Sequence, residues 1–158
     1  MYQSYAKFLK DSSKLKQGKY MCRLGFPFPE FTNFQYNAES DDIEWTTTGQ
    51  NETPRFPIEG MLTRHIMQAG QLAGIEMSTP GLRGQSGGPL FDHEGIVCGM
   101  QWSTNHLHLG FDMKNFEYKI NGRPIKVTNQ PFLHVGQCIH VDIIKKFLAD
   151  NHIKFYEA

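Results

Sequence analysis

Four glycines and one proline fall within residues 79–88. Glycine adopts backbone conformations that other residues reach only with strain, and proline lacks the amide hydrogen that the interior of a helix or a sheet requires. A stretch of this composition cannot continue a helix or a strand, so we predict a shaped loop here.

The composition favours one domain built from short strands. The chain has 158 residues, of which 39% are hydrophobic and 20% are charged. Glycine (15) and proline (8) are frequent, and aromatic residues make up 13% of the chain. Such a sequence provides a packed core and many turns, so we expect an all-β fold.

Charge and cysteine content argue against several classes of protein. Sixteen basic residues balance sixteen acidic ones without a long run of like charge, so we expect no nucleic-acid partner. No apolar run approaches the roughly 18 residues of a membrane span, and the start of the chain lacks the apolar stretch of a secretory signal. Cys22, Cys98 and Cys138 are widely spaced, which predicts no disulfide framework; Cys98 and Cys138 fit small core positions.

Apolar alternation and turn residues predict strands at residues 20–26, 43–48, 56–66, 72–77, 89–91, 95–102 and 136–141. Two hairpins are expected, one turning at residues 92–95 and one at Asn121-Gly122. Residues 1–18 show no clear periodicity and are interpreted as a leader segment.

A helical pattern occurs only near the C-terminus. Apolar residues including Ile143 and Phe147 recur on one face of a predicted helix over residues 142–151, and Asp142 stands where an N-cap belongs. We therefore expect a β domain closed by a short amphipathic helix.

The predicted loop contains a specific motif. Residues 84–90 read Gly-Gln-Ser-Gly-Gly-Pro-Leu, which resembles the nucleophile motif G-x-S-G-G-P-L of the chymotrypsin-fold (trypsin-like) serine peptidases at every fixed position. The resemblance implies that Ser86 is the nucleophile. The same residues satisfy G-x-S-x-G of the α/β-hydrolases, but that motif requires a helix directly after the serine, whereas Pro89 leads into a strand-like run.

The chemistry explains why such a motif needs its glycines. A hydroxyl that attacks a carbonyl creates an oxyanion, which backbone amides of a tight loop can meet without a side chain in the way. In this interpretation the amides of Gly84 and Ser86 form the oxyanion hole. Gly87 and Gly88 let the chain turn closely behind Ser86.

The flanking residues resemble bacterial, HtrA-like members of the same family, at residues 11–18, 23–27, 95–100 and 135–148. This likeness implies a six-stranded antiparallel Greek-key β-barrel over residues 19–158, the second barrel of the chymotrypsin-like fold, with a C-terminal α-helix. Residues 103–129 would be an insertion that carries the Asn-Gly hairpin. Gln85 replaces the aspartate of secreted members, which favours a bacterial or intracellular protein of the cytoplasm or the cell envelope.

The resemblance implies that the catalytic histidine and aspartate come from a first barrel, N-terminal to this one. Residues 1–18 contain no histidine, so a base-bearing barrel is the expected missing partner. We interpret the seven histidines as surface or packing residues and expect no cofactor. His93, His106 and His108 are the alternative, a zinc site, and we predict no metal.

The expected substrate is a peptide or an unfolded protein that pairs as an added strand. The substrate-binding residues would be Leu82, Arg83, Gly99, Met100, Gln101, Trp102 and Ser103. No acidic residue lies between Met77 and Ser86, so we expect a small or apolar side chain in the first specificity pocket rather than lysine or arginine.

Three functions stay open on sequence alone. The first is a serine endopeptidase that forms an acyl-enzyme on Ser86 in the intact protein, with this chain inactive by itself. The second is a non-catalytic, protease-like module that binds extended peptides. The third is an esterase in which Asp112 and either His134 or His140 complete a triad with Ser86.

Overall fold

The structure is a computed structural model that describes residues 5–27, 30–108, 116–120, 122–127 and 132–158. In that part of the chain strands predominate, and a single α-helix lies near the C-terminus, so the expected all-β fold with a C-terminal helix is confirmed. The elements are β1 Lys7–Phe8, a 3₁₀ turn Ser12–Lys14, β2 Tyr20–Gly25, β3 Phe34–Asn37, β4 Asp42–Trp45, β5 Phe56–Gln68, β6 Gln71–Met77, β7 Pro89–Phe91, β8 Val97–His108, β9 Phe116–Ile120, β10 Arg123–Val127, β11 Phe132–His140, α1 Val141–Asp150 and β12 Tyr156–Glu157.

The main sheet has a continuous order of strands, β11-β6-β5-β2-β7-β8-β1-β12. β8 pairs with β11 as well as with β7, so the pairings from β11 through β6, β5, β2, β7 and β8 return to β11. All six of these strands pair antiparallel with their neighbours. β1 is different, because it pairs parallel with both β8 and β12.

Alternating burial along the strands creates the core. In β2, Met21, Arg23 and Gly25 are buried while the residues between them are partly accessible, as expected for a strand with one covered face. The buried apolar cluster consists of Leu9, Leu15, Met21, Leu62, Ile75, Met77, Leu90, Cys98, Cys138 and Val141. Arg23 shares this buried face with apolar residues, which makes it the exception to explain.

Both predicted hairpins are confirmed. β7 and β8 are joined by a turn in which the Gly95 amide donates to the Asp92 carbonyl at 2.9 Å. β9 and β10 form a separate two-stranded sheet, and Gly122 in their turn has φ +77°. Asn121 lies outside the described residues. The local turn chemistry was therefore a sufficient guide to both pairings.

A further small hairpin, formed by β3 and β4, departs from expectation. The strand predicted at residues 43–48 is β4, Asp42–Trp45, and it pairs with β3, Phe34–Asn37, in a stretch that the sequence predicts as a polar loop. Both strands are largely exposed, so neither carries the alternation of buried and exposed residues from which a strand is recognised.

The interpretation of residues 1–18 as a leader needs correction for the described residues 5–18. β1 is paired in the main sheet, and Leu9 and Leu15 belong to the buried core. The Leu15 carbonyl also lies 2.9 Å from Nε2 of His65 on β5. This segment is thus part of the packed domain, held by contacts with residues far away in the sequence.

The proposed insertion is smaller than expected. β8 runs on to His108, and residues 103–108 pair with residues 132–137 of β11. Residues 103–108 therefore belong to the main sheet, and the β9–β10 hairpin lies beyond the far end of two long paired strands. Pairing between β8 and β11 is nonlocal, which explains why the pattern around residue 103 did not predict it.

The helix begins one residue earlier than predicted. His140 rather than Asp142 is the N-cap, because its Nδ1 accepts a hydrogen bond from the Asp142 amide at 3.2 Å. Asp142 lies in the first turn and its carboxylate is 3.1 Å from the Lys145 ammonium. His140 is buried, and burial lowers the pKa of its imidazole, which favours the neutral ring that the cap requires.

The cysteine prediction agrees with the structure. All three cysteines are free, and Cys98 and Cys138 are fully buried. Burial raises the pKa of the Cys98 thiol to about 11 and that of Cys138 to about 12, so both are core residues and not nucleophiles. Within the described ranges, the search for membrane spans found no helix with the length and apolar character to cross a bilayer.

Candidate active site around Ser86

The motif loop connects β6 to β7, and Gln85 fixes its shape from inside. Gln85 is fully buried; its Oε1 accepts from the Leu82 amide at 3.0 Å and its Nε2 donates to the Phe56 carbonyl at 3.2 Å. A residue that sequence analysis treated as a missing acid is therefore a neutral amide that satisfies two backbone groups. It anchors the loop to β5 directly beside Ser86.

The glycines are required by close approach of the backbone. Gly84 has φ +84°, and a Cβ at this position would lie 2.2 Å from the Phe26 carbonyl oxygen. A Cβ at Gly88 would lie 2.0 Å from the Leu24 carbonyl oxygen. Since real Cβ atoms do not approach backbone oxygens this closely, only glycine lets the loop pack against the end of β2.

The other side of the loop is hydrogen bonded to β8 at a single residue. The Gly87 amide donates to the Gln101 carbonyl at 2.8 Å, and the Gln101 amide donates to the Gly88 carbonyl at 2.9 Å. These bonds place Ser86 at the surface, where its Oγ donates to the Trp102 carbonyl over 3.4 Å. Such a long bond leaves the hydroxyl weakly held.

Four amides of the loop, those of Thr79, Arg83, Gly84 and Ser86, donate no hydrogen bond to a described residue, and the last two lie beside the Ser86 hydroxyl. The amides of Gly84 and Ser86 donate no hydrogen bond to any residue that the structure describes, whereas those of Gln85, Gly87 and Gly88 all do. Two unengaged N–H groups that flank one hydroxyl are what an oxyanion hole requires. The loop can therefore offer donors to an anionic oxygen bonded to Ser86.

A cavity of about 420 Å³ opens beside Ser86. Five residues of the predicted site line it: Leu82, Arg83, Ser86, Gln101 and Ser103. Five residues that were not predicted as part of the site line it as well: Pro80, Gly81, Thr104, His106 and His134. Seven of these ten residues have polar side chains, while Pro80, Gly81 and Leu82 contribute apolar surface.

The remaining predicted substrate-binding residues do not line this cavity. Gly99 and Met100 are paired on both edges, with β7 on one side and β11 on the other, so a peptide cannot pair with them as an added strand. Trp102 is exposed and is the extra residue where the register of β8 against β11 shifts. Among the described residues, the edge of β8 opposite β11 pairs with no strand after Met100, and the motif loop occupies it at Gln101.

A buried guanidinium lies under the cavity. Arg23 has no exposed surface, and its Nη1 donates to Oε1 of Gln101 at 2.8 Å. Its Nη2 contacts the Thr79 carbonyl at 2.9 Å, Oγ1 of Thr79 at 2.6 Å and the Pro80 carbonyl at 3.1 Å. Sequence analysis missed this residue, since only its inward position on β2 distinguishes it from a surface arginine.

Two histidines meet at the rim of the cavity. His106 and His134 are opposite residues in the β8–β11 ladder, with ring centroids 4.7 Å apart and a hydrogen bond between their Nδ1 atoms. Both were interpreted as surface or packing residues. Only the register of β8 against β11 shows that these two histidines face each other.

No imidazole hydrogen bonds to Ser86 among the described residues. His140 caps α1, His65 bonds to the Leu15 carbonyl, and His134 pairs with His106. Asp112, named for the esterase alternative, lies outside the described residues. In the described ranges, no three histidine, cysteine, aspartate or glutamate side chains are arranged to hold a metal ion.

The sequence was also compared with known proteins. No protein-family model matches the chain, and no curated protein matches it. The function must therefore be argued from the geometry around Ser86.

Proposed function

We propose that this chain is the nucleophile-bearing barrel of a trypsin-like serine endopeptidase. The six antiparallel strands β2, β5, β6, β7, β8 and β11 would form its Greek-key barrel. Support for closure comes from the circuit of pairings that leads from β11 through five strands and back to β11. The motif loop connects two strands of this circuit, β6 and β7.

The observation that carries the proposal is the exposed Ser86 hydroxyl between two unengaged amides. In the proposed reaction, Oγ of Ser86 forms a bond to the peptide carbonyl carbon and gives its proton to a general base. The amides of Gly84 and Ser86 donate to the oxyanion. The C–N bond then breaks, the amine leaves with the transferred proton, and water hydrolyses the acyl-enzyme to release Oγ.

The peptide would lie along the edge of β8 that follows Gln101. β11 covers one edge of this segment, and no strand among the described residues covers the other, so Trp102 and Ser103 are within reach of an extended chain. Strand addition uses main-chain hydrogen bonds and would bring one side chain to the cavity beside Ser86. This places the peptide further along β8 than sequence analysis expected.

The general base is assigned to a partner barrel. A serine hydroxyl needs a histidine within hydrogen-bond reach to act as a strong nucleophile, and among the described residues Ser86 has only the Trp102 carbonyl. The same observation favours the alternative function, a non-catalytic module that binds extended peptides in an intact cleft.

One experiment separates these functions. A fluorophosphonate probe, which requires an activated serine, should label the intact gene product on Ser86, and Ser86→Ala should abolish both labelling and cleavage of an unfolded protein. Intact protein that binds peptides but is neither labelled nor active would favour the binding module and overturn the peptidase.

The isolated chain of residues 1–158 provides the matched comparison. Without a base, the oxyanion donors alone leave roughly a thousandfold to ten-thousandfold acceleration over water, by analogy with triad knockouts, so we expect no measurable peptidase activity. Brisk labelling of Ser86 in this chain would instead show a local base and would favour the esterase.

A further inference from the structure

The cavity beside Ser86 is lined by basic residues and, among the described residues, by no acidic ones. None of the described residues that line it is acidic, whereas Arg83, His106 and His134 all contribute to its wall. Three basic residues therefore line a space of about 420 Å³, which is large enough for a full side chain. A site of this kind complements a negatively charged group.

Among the described residues, no acidic group neutralises the charge beneath the cavity. All acceptors that bind Arg23 are neutral: the Gln101 side chain, the carbonyl and hydroxyl of Thr79, and the Pro80 carbonyl. Its Nε is buried and has no partner among the described residues. Burial lowers the pKa of the guanidinium, because removing the charge from water is costly. No described carboxylate lies within ion-pair distance of it.

Gln101 connects this charge to the cavity. Its Oε1 is occupied by Arg23, so the amide group must turn its Nε2 the other way, where it donates to the Ser103 carbonyl at 2.6 Å. A Cβ at Gly81 would lie 2.2 Å from that Nε2, so the amide donor is packed against the cavity wall. The buried cation thus fixes the orientation of the Gln101 amide group in the cavity wall.

The neighbouring polar groups give the cavity no acidic counterpart. Oγ1 of Thr104 accepts from the Gly81 amide at 2.9 Å and donates to the Gly81 carbonyl at 2.7 Å, which uses its own proton. Oγ of Ser103 donates to Oε1 of Gln137 at 2.7 Å. An unpaired buried cation is normally destabilising, and a carboxylate that enters the cavity would partly compensate it.

We propose that this cavity is the specificity pocket for an acidic side chain, glutamate or aspartate, at the residue that precedes the scissile bond. The proposal rests on the proposed function for its place beside the scissile bond. It replaces the expectation of a small or apolar side chain, which considered only the absence of acidic residues before Ser86 and not the basic residues that β2, β8 and β11 bring together.

Binding to the Ser86→Ala variant of the full chain tests the pocket without requiring catalysis. The probes are N-acetylated tetrapeptide amides that differ only in the last residue, which is glutamate, glutamine, leucine or lysine, measured by calorimetry. We expect the glutamate peptide to bind about tenfold or more tightly than the glutamine peptide and the lysine peptide to bind most weakly. Equal binding of glutamate and glutamine, tightest binding of leucine, or no binding at all would overturn the proposal.

Free glutarate distinguishes a peptide side chain from a simple anion. If glutarate binds as tightly as the glutamate peptide, the site recognises small carboxylates and the peptide assignment is wrong. Much weaker binding of glutarate supports a pocket that works together with the peptide backbone.

Gln101→Glu is the sharpest variant, because it places a carboxylate against Arg23 in the same volume. We expect it to remove the preference for glutamate over glutamine while the protein stays folded, as monitored by its Tm. Gln68→Glu is the matched control: it adds the same charge at the exposed far end of the β5–β6 hairpin and should keep the preference. A preference that survives Gln101→Glu contradicts the role of the buried cation.

Arg83→Gln provides a second variant with little risk to folding, since Arg83 is exposed. It should weaken binding of the glutamate peptide several-fold and leave the leucine peptide unchanged. Failure of the proposed function is distinguishable, because an inactive intact protein would still show this binding pattern. An active peptidase that cleaves without preference for acidic residues would overturn only the pocket.

Discussion

The two ends of the short strand β7 differ in whether their polar groups are hydrogen bonded within the protein. At its C-terminal end, Asp92 is buried, with 5% of the residue exposed. Its carboxylate accepts from Nζ of Lys19 at 3.0 Å and from the amides of Glu94 and Ile96 at 3.1 Å. At its N-terminal end, the amides of Gly84 and Ser86 have no acceptor among the described residues.

The difference separates a structural turn from a site. Both ends use a glycine with positive φ, Gly87 at +84° and Gly95 at +76°, so both would be read from sequence as turns. Gly84 and Ser86 are both exposed, so their amides are solvated in the free protein and accessible to a ligand. The satisfied turn stabilises the fold, whereas in the proposed site the exposed amides beside Ser86 would bind the oxyanion.

The largest effect is expected for Gly88→Ala. The new Cβ would lie 2.0 Å from the Leu24 carbonyl oxygen, and backbone atoms cannot move away as a flexible side chain would. We expect a loss of about 3 kcal/mol or more in the free energy of unfolding, measured by chemical denaturation. A change under about 1 kcal/mol would show that the loop is not packed against β2 as described.

Asp92→Asn should have the next largest effect. Replacing the carboxylate leaves the Lys19 ammonium without its partner and weakens two bonds to backbone amides, so we expect a loss of about 1–3 kcal/mol at neutral pH. Asp41→Asn, in an exposed turn, is a suitable control for the same chemical change.

The pH dependence of the same variant sharpens the comparison. Burial raises the pKa of Asp92, but the hydrogen bonds from Lys19 and from the Ile96 and Glu94 amides outweigh it and lower the pKa below 3.8. The carboxylate therefore stabilises the fold above that value, and this contribution is lost as the pH falls through the lower pKa of the folded state. Wild type and Asp92→Asn should converge in stability on acidification below about pH 4. A constant difference between them would contradict the assignment.

A matched pair of glycine substitutions compares the two ends of β7 directly. Gly87→Ala and Gly95→Ala both introduce a side chain at positive φ into open space, so each should cost about 1–2 kcal/mol from backbone strain alone. Only Gly87→Ala should also reduce binding of the glutamate peptide, because Gly87 holds Ser86 against Gln101. Equal binding by both variants would break the distinction between turn and site.

The sequence was a good guide wherever local chemistry decides the structure. The motif loop, the β7–β8 hairpin and the strands β2 and β6 lie where turn residues and alternation predicted them. The position of the loop could be read from its glycines alone, although the carbonyls that Gly84 and Gly88 approach belong to the distant residues 26 and 24.

Long-range pairing explains most of what was missed. Leu9 and Leu15 belong to the core only because β1 meets β8, and His106 faces His134 only through the register of β8 against β11. Arg23 was missed for the same reason, because its hydrogen-bond partners are residues 79, 80 and 101. The motif loop was therefore predictable, while the residues that line the cavity beside it were not.

Ser86→Ala should have the smallest effect on stability. Ser86 is exposed and its hydroxyl makes one bond of 3.4 Å, so we expect the free energy of unfolding to change by less than about 0.5 kcal/mol. Ser103→Ala is the control, because its hydroxyl makes a 2.7 Å bond to Gln137 in a partly buried position and its loss should cost about 1 kcal/mol. If Ser86→Ala destabilised the chain as much as Ser103→Ala, the hydroxyl would be a structural group like the Asp92 carboxylate.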